Sequence, residues 1–288
     1  MPDSTPSSDN FTGRRLPDDL AVVVLDQVAF TQRPGADQAE LSALTSRLTD
    51  EALSGAGLES VRDNKLFFRD TGDGLVFGCS PGYLAGLLDR FLPRLETTIA
   101  RHNATPGKTP LRMRLAIARG PLPIGVGPGD GNGTARNEAH RLVDAEVLKW
   151  VMGVASPDVT VLAAIISDRV YQDVVASRYS ALHPARFVRV IATVPGKTFR
   201  APAWIHVPVP SAGLLASPPN AFAPNVSSGA LAHTPPSADS PSGHWFESWP
   251  RHGAGTAQHV YQGVAVHDVS GDVTLSFPAA ADVSERSR

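Results

Sequence analysis

The sequence predicts an α+β fold: a ferredoxin-like βαββαβ core, a palm, with additional C-terminal α/β elements. Three observations predict it. Apolar, β-branched runs of strand length alternate with segments whose leucines recur at helical spacing. An Asp-Gly turn between two apolar runs marks a hairpin after the first helix. The order of these segments is that of the split βαβ motif, extended by further α and β. Such alternation suggests one sheet covered mainly on one side.

The elements follow in order. Leu20–Leu25 (LAVVVL) reads as a strand, and Pro34-Gly35 closes the loop behind it. Leu41, Leu44, Leu48 and Leu53 predict a helix over 36–56, with glycines at its exit. The runs 61–69 and 75–78 flank Asp70-Thr71-Gly72-Asp73-Gly74 as hairpin strands. A second helix is expected over 81–102, a strand over 112–118, a helix over 138–152 and a buried strand over 159–166. A short helix at 169–176 and strands at 187–194 and 203–207 complete the body.

The chain has 288 residues, with Lys+Arg 26 against Asp+Glu 28 and one cysteine, Cys79. One cysteine makes no internal disulfide or thiolate cluster, and at the end of an apolar strand it is expected to be a buried structural thiol. A net charge of -2 excludes a general nucleic-acid binder. No apolar run reaches the roughly 20 residues of a membrane span, and the polar start MPDSTPSSDN suits a cytoplasmic protein. Between Pro208 and Pro250 nine prolines occur, with no Lys or Arg, which predicts an unpacked linker. The expected organisation is a disordered N-terminus (1–18), a folded body (19–207), a disordered linker (208–257) and a tail (258–288). In that tail Gly271, Val273, Leu275 and Phe277 alternate as a short β-prone motif able to pair with another chain's edge, an inert strand being the alternative.

Four local features bear on chemistry. Asp26, at the exit of the first strand, is followed by a turn through Gln27, Phe30 and Thr31; a held carboxylate serves a hard cation, and turn N–H groups suit an anion. Asp73 lies at the hairpin tip, where pairing beside the first strand would bring it to Asp26, and two such carboxylates imply a metal between them. Gly129-Asp130-Gly131-Asn132-Gly133 lacks the Lys and Ser/Thr of a P-loop. Asn137 and Arg141, four apart, share one helix face.

Taken together, these features resemble the catalytic domain of class III nucleotidyl cyclases, the adenylate and guanylate cyclase family. Asp26 to Thr31 matches its Asp-x-x-x-Phe-Thr/Ser, Gly72 to Gly74 its Gly-Asp-Gly, and Gly133 to Leu142 its Gly-x-x-Val-Asn-x-Ala-x-Arg-Leu with Arg136 in place of Val. The resemblance implies conversion of a nucleoside triphosphate to a 3′,5′-cyclic nucleotide and pyrophosphate. Asp26, Asp73 and the Gln27 carbonyl would hold two Mg²⁺ or Mn²⁺ ions. Phe30 and Thr31 would cradle phosphates, Asn137 would orient the ribose, Arg141 would stabilise transition-state charge, and Lys197 and Arg200 would meet the triphosphate. It also implies a homodimer in which Asn137 and Arg141 come from the partner subunit. Arg69 and Asp130 occupy the base-reading positions. They suit adenine, cytosine or uracil edges, so the base stays open, and the pyrimidine cyclase branch of antiphage signalling is one candidate. The alternative is a catalytically weak, cyclase-like binding or dimerisation module whose tail recruits an effector.

Overall fold

Strand β1 (Asp19–Gln27) sets the architecture, because it is buried along both faces. Ala21, Val23 and Leu25 enter one apolar core while Leu20, Val22 and Val24 enter another. The unbroken run LAVVVL is the pattern of a strand sandwiched between two helical layers. The sheet is therefore covered on both faces, not mainly on one.

In this computed structural model, residues 16–125 and 129–216 are described, together with the backbone of 260–261 and 264–265. From β1 the chain passes a 3-10 turn (Phe30–Gln32) into α1 (Gly35–Gly55) and α2 (Glu59–Asp63), then β2 (Leu66–Asp70) and β3 (Gly74–Cys79). A 3-10 turn (Pro81–Tyr83), α3 (Leu84–Gly86) and a π-helical turn (Leu87–Phe91) lead into α4 (Leu92–Asn103) and β4 (Met113–Pro121). Helices α5 (Thr134–Val143) and α6 (Glu146–Val154) cross to β5 (Leu162–Ser167). Next come α7 (Asp168–Val170), a π-helical segment (Tyr171–Ala176), a 3-10 turn (Pro184–Arg186), β6 (Val188–Thr193), β7 (Arg200–His206) and α8 (Ala212–Leu215). The sheet order is β2-β3-β1-β4-β5-β7-β6. Its first four strands, all antiparallel to their neighbours, are the expected split βαβ arrangement, and β5 joins β4 in parallel. Helices α1, α2 and α4 cover one face, α5 and α6 the other.

Several boundaries differ from expectation. Val61 belongs to α2 rather than to a strand. The helix expected over 138–152 is two helices, because the backbone of Ala145 is extended (φ -57°, ψ 136°) and α6 restarts there. The apolar stripe runs on through Leu148, Val151 and Met152 with no Gly or Pro at the break, so periodicity alone reads one helix. Beyond 207 the chain still packs: the Ser211 N–H donates to Thr160 Oγ1 at 2.9 Å, Thr160 Oγ1 donates to the Val209 carbonyl, and the Ser156 N–H donates to Ser211 Oγ. Paired hydroxyls and backbone hold this segment, which explains why it lacks an apolar period.

The chain divides into two units, Met1–Ser228 and Gly229–Arg288. In the second, β8 (Val260–Tyr261) and β9 (Val264–Ala265) form an antiparallel pair. The motif at 271–277 and the segments 1–15 and 217–259 lie outside the described residues.

One contact fixes how β3 meets β1. An ideal Cβ on Gly74 would stand 2.0 Å from the Leu25 carbonyl oxygen, so only glycine permits this approach. Gly74→Ala is expected to destabilise the fold by about 3 kcal/mol or more through this overpacking. Gly35→Ala, with no atom within 4 Å of the added carbon, should leave the urea midpoint within error.

Candidate active site

The site is built where β1 ends. Asp26 pairs with Gly74 on β3 and with Arg114 on β4. The Gln27 N–H donates to the Asp73 carbonyl at 2.8 Å, which ties the hairpin tip to the strand end. Two sequence-distant acidic residues, Asp26 and Asp73, are thereby held at neighbouring backbone positions. Within the tip, Thr71 Oγ1 donates to Asp73 Oδ1 at 3.1 Å and the Gly72 N–H to Asp70 Oδ1 at 2.8 Å.

Asp26 follows Val22 and Val24 along the β1 face covered by α5 and α6, where water is scarce. Its carboxylate accepts a hydrogen bond from Arg114 Nη2, and Arg114 Nε is buried without a partner among the described residues. Burial raises the Asp26 pKa to about 6; Arg114 opposes the rise and the charges of Asp73 and Asp144 add to it. The dominance of desolvation over an adjacent guanidinium marks a carboxylate short of positive charge. Sequence reasoning missed Arg114, although its register opposite Asp26 follows once β1 and β4 are paired.

Gln27 is committed differently from its neighbours. Its buried side chain donates to the Leu41 carbonyl at 3.0 Å and to Thr45 Oγ1 at 2.7 Å, anchoring α1 to the strand end. Ala29 then takes a left-handed conformation (φ 60°) that opens the turn over Phe30 and Thr31. As the first groups of a helical turn, the N–H groups of Phe30 and Thr31 have no intrahelical acceptor.

A second group of residues gathers on α5. Ala135, Ala139, Leu142 and Val143 are its buried face, so Asn137 and Arg141 project from the other side. With Thr134, Glu138 and the β6–β7 turn residues Lys197, Thr198 and Phe199, they line a cleft of about 470 Å³. Three of the expected ligands, Asn137, Arg141 and Lys197, are thus brought together. Arg200, exposed at the start of β7, does not line the cleft, and neither do Asp26 and Asp73. Burial raises the Glu138 pKa against the opposing charge of Arg169. Glu138 had no signal in the sequence beyond its place on the same helix.

Between α5 and the hairpin, burial foremost and the charge of Arg136 next lower the His140 pKa, with Asp144 and Asp73 opposing. Asp130 and Arg136 lie beside β2: Arg136 Nη1 donates to the Asp130 carbonyl at 3.4 Å, and the Gly125 N–H donates to Asp130 Oδ1 at 3.0 Å.

Carboxylate oxygens suit Mg²⁺ or Mn²⁺, and Asp26 and Asp73 are such donors. No group of three or more His, Cys, Asp or Glu side chains is placed to hold a metal among the described residues. Two carboxylates fit a cation that completes its shell with phosphate oxygens and water rather than an all-protein cage. Cys79 is buried and its thiol pKa is pushed up to about 12 by that burial, which excludes a thiolate nucleophile.

No protein-family model matches the sequence, and no curated protein matches it. Solved structures do. The chain is similar to an adenylate/guanylate cyclase/hydrolase from Silicibacter pomeroyi at 23% identity, covering 66% of this chain and 96% of that one, TM-score 0.45. It is similar to the adenylyl cyclase CyaB from P. aeruginosa at 14% identity, covering 66% and 93%, TM-score 0.43. The guanylyl cyclase Cya2 matches at 12% identity over 67% and 95%, TM-score 0.45.

The Asp26 carboxyl is expected to titrate near pH 6 by ¹³C NMR. Between its ordinary 3.8 and about 6 the folded chain holds a proton the unfolded chain has released, so this group's contribution to stability falls as pH rises through that window. Millimolar Mg²⁺ with a triphosphate should move the midpoint down. A midpoint near 4 in the free protein would mean that Arg114, not burial, governs the group.

Proposed function

We propose that the chain is a class III nucleotidyl cyclase, which converts a nucleoside triphosphate to its 3′,5′-cyclic monophosphate and pyrophosphate. The observation that carries this reading is the juxtaposition of Asp26 and Asp73 by the β1–β3 pairing. Added to it is the gathering of Asn137, Arg141 and Lys197 at one cleft.

Bound divalent cations, Mg²⁺ or Mn²⁺, would supply activation of the ribose 3′-hydroxyl and neutralisation of the triphosphate, held by Asp26, Asp73 and the Gln27 carbonyl. The protein's own residues do the rest. The open N–H groups of Phe30 and Thr31 receive the outer phosphates. Asn137 fixes the ribose so that its 3′-oxygen lies in line with the α-phosphorus. That oxygen gives up its proton and bonds to phosphorus as the α–β phosphoanhydride bond breaks and pyrophosphate leaves. Arg141 faces the charge that builds on the transferring phosphoryl group, a task suited to a planar guanidinium fork. Lys197 stands at the same cleft as a second cation toward the polyphosphate, with Arg200 farther along the hairpin.

The carboxylates and the Asn137–Arg141 cleft do not share one lining on this chain. A head-to-tail homodimer, in which each subunit presents its α5 cleft to its partner's carboxylates, would complete two equivalent sites. No helix among the described residues is long and apolar enough to cross a membrane, and the reaction needs none. In this reading the tail couples the enzyme to a signalling partner, in a defence response among other settings.

Purified protein incubated with Mn²⁺ and each of ATP, GTP, CTP and UTP should form a cyclic product from at least one. Asp73→Ala and Arg141→Ala should each reduce the rate by a factor of about 100 or more. Absence of product from all four, or product undiminished in Asp73→Ala, would leave a nucleotide-binding or dimerisation module.

A further inference from the structure

Beside the turn that follows β1 lies a second cavity, of about 410 Å³, lined by none of the residues expected to meet the nucleotide. It is bounded by that turn, the end of α4 and the loops that enter β4 and β5. The strand ends frame it: the Val28 N–H donates to the Arg112 carbonyl and the Met113 N–H to the Val161 carbonyl, each at 2.9 Å. A volume of this size is that of a small-molecule site. Much of the wall is apolar, through Ala100, Ala104, Pro110 and Val161, and with these residues stand Arg33 and Arg112.

The two arginines are partnered differently from others nearby. Along β4, Arg114 is paired with Asp26, and Arg119 with Asp19 and Asp173. Arg112 has backbone partners: its Nε donates to the Thr160 carbonyl at 3.0 Å and its Nη2 to the Ala155 carbonyl at 3.3 Å. Arg33 Nη2 donates to the Pro110 carbonyl at 2.9 Å. Among the described residues neither arginine forms an ion pair, and Asp158, exposed on the same cavity, pairs with neither. Burial lowers the Arg112 pKa with no carboxylate opposing it. A guanidinium carries five N–H groups. The carbonyls therefore aim each fork without neutralising its charge, and leave donors for a ligand.

Both ends of the turn also line this cavity. Ala29, left-handed at φ 60°, opens the turn, and Arg33 closes it with its N–H donating to the Phe30 carbonyl at 3.0 Å. Left-handed residues other than glycine gather where ligands are clamped. A ligand that joins Arg33 to Arg112 would tie the far end of the turn to β4.

We propose that this cavity is a binding site, separate from the nucleotide cleft, for a small organic oxyanion: a phosphate monoester or a carboxylate on a compact apolar body. The anionic head accepts from Arg33 and Arg112, since a guanidinium fork matches either group, and the body lies on the alanine, valine and proline wall. Bound there, the anion holds the turn of Phe30 and Thr31 in one shape, which in the cyclase reading is the shape that receives the phosphates. The site itself does not depend on that reading.

Isothermal titration calorimetry of the full chain without divalent ions, with phenyl phosphate, benzoate and benzyl alcohol as probes, tests the site. At least one of the two anions should bind about tenfold or more tightly than the neutral alcohol, and the tighter one identifies the head group. Arg33→Gln should weaken that anion by about tenfold or more. Arg112→Lys, which keeps the charge and loses the fork, should weaken it as well, whereas Arg141→Ala in the α5 cleft should leave it unchanged. In ¹H–¹⁵N spectra the Nε–H signals of Arg33 and Arg112 should move, and no α,β-methylene triphosphate analogue with Mg²⁺ should displace the probe. The absence of any preference for an anion, binding unchanged in both Arg33→Gln and Arg112→Lys, or displacement by an analogue would overturn the proposal. Anion binding by a chain that forms no cyclic nucleotide would uphold the site and leave only the cyclase reading to fall.

Discussion

The close approach of Gly74 to the Leu25 carbonyl is the constraint on which the site depends. With no side chain at 74, β3 can lie against the end of β1 so that Asp26 faces Gly74 and the Gln27 N–H reaches the Asp73 carbonyl. A strand register has a period of two, so a slip of one residue would turn Asp26 toward the opposite face and part the carboxylates. The two helical layers prevent such a slip, because Leu20, Val22 and Val24 would have to exchange cores with Ala21, Val23 and Leu25. The apolar sandwich thus enforces the placement of a polar pair.

Electrostatics completes what packing begins. Asp26 lies under α5, in a place dry enough for desolvation to outweigh Arg114, and with Asp73 and Asp144 near enough to repel it. Such a carboxylate gains most from added positive charge, which a divalent ion supplies and a single guanidinium does not fully provide. On the far side of α5 the sign is reversed. Arg141 and Lys197 line one cleft, and Arg136 lies over the Phe67 ring. These charges are grouped locally on a chain that carries almost no net charge.

Much of this was legible in the sequence, for identifiable reasons. LAVVVL, the Leu41–Leu53 series and the Asp-Gly turn each carry a local physical signal, and each became the element it announced. Asp26 and Asp73 could be matched because strand end and hairpin tip are positions that chain order and pairing rules bring together. What could not be read depends on contacts distant in sequence. The break at Ala145 has no Gly or Pro to mark it, and the docking of 208–216 rests on the hydroxyls of Thr160 and Ser211. The one-sided sheet was mistaken because the length of the apolar run in β1, and not merely its presence, reports burial on both faces. Arg114 emerges only from the β1–β4 register, and the Phe67–Arg136 stack only from a slipped β2.

The central claim is that Asp73 of one subunit and Arg141 of another serve the same site. Mixing inactive Asp73→Ala with inactive Arg141→Ala protein and measuring cyclic nucleotide formation tests it most directly. Random exchange of subunits would regenerate one intact site in each mixed dimer, so activity should return to about a quarter of the wild-type value. A mixture as inactive as either variant, although subunits exchange, would contradict a site shared between two copies of the chain.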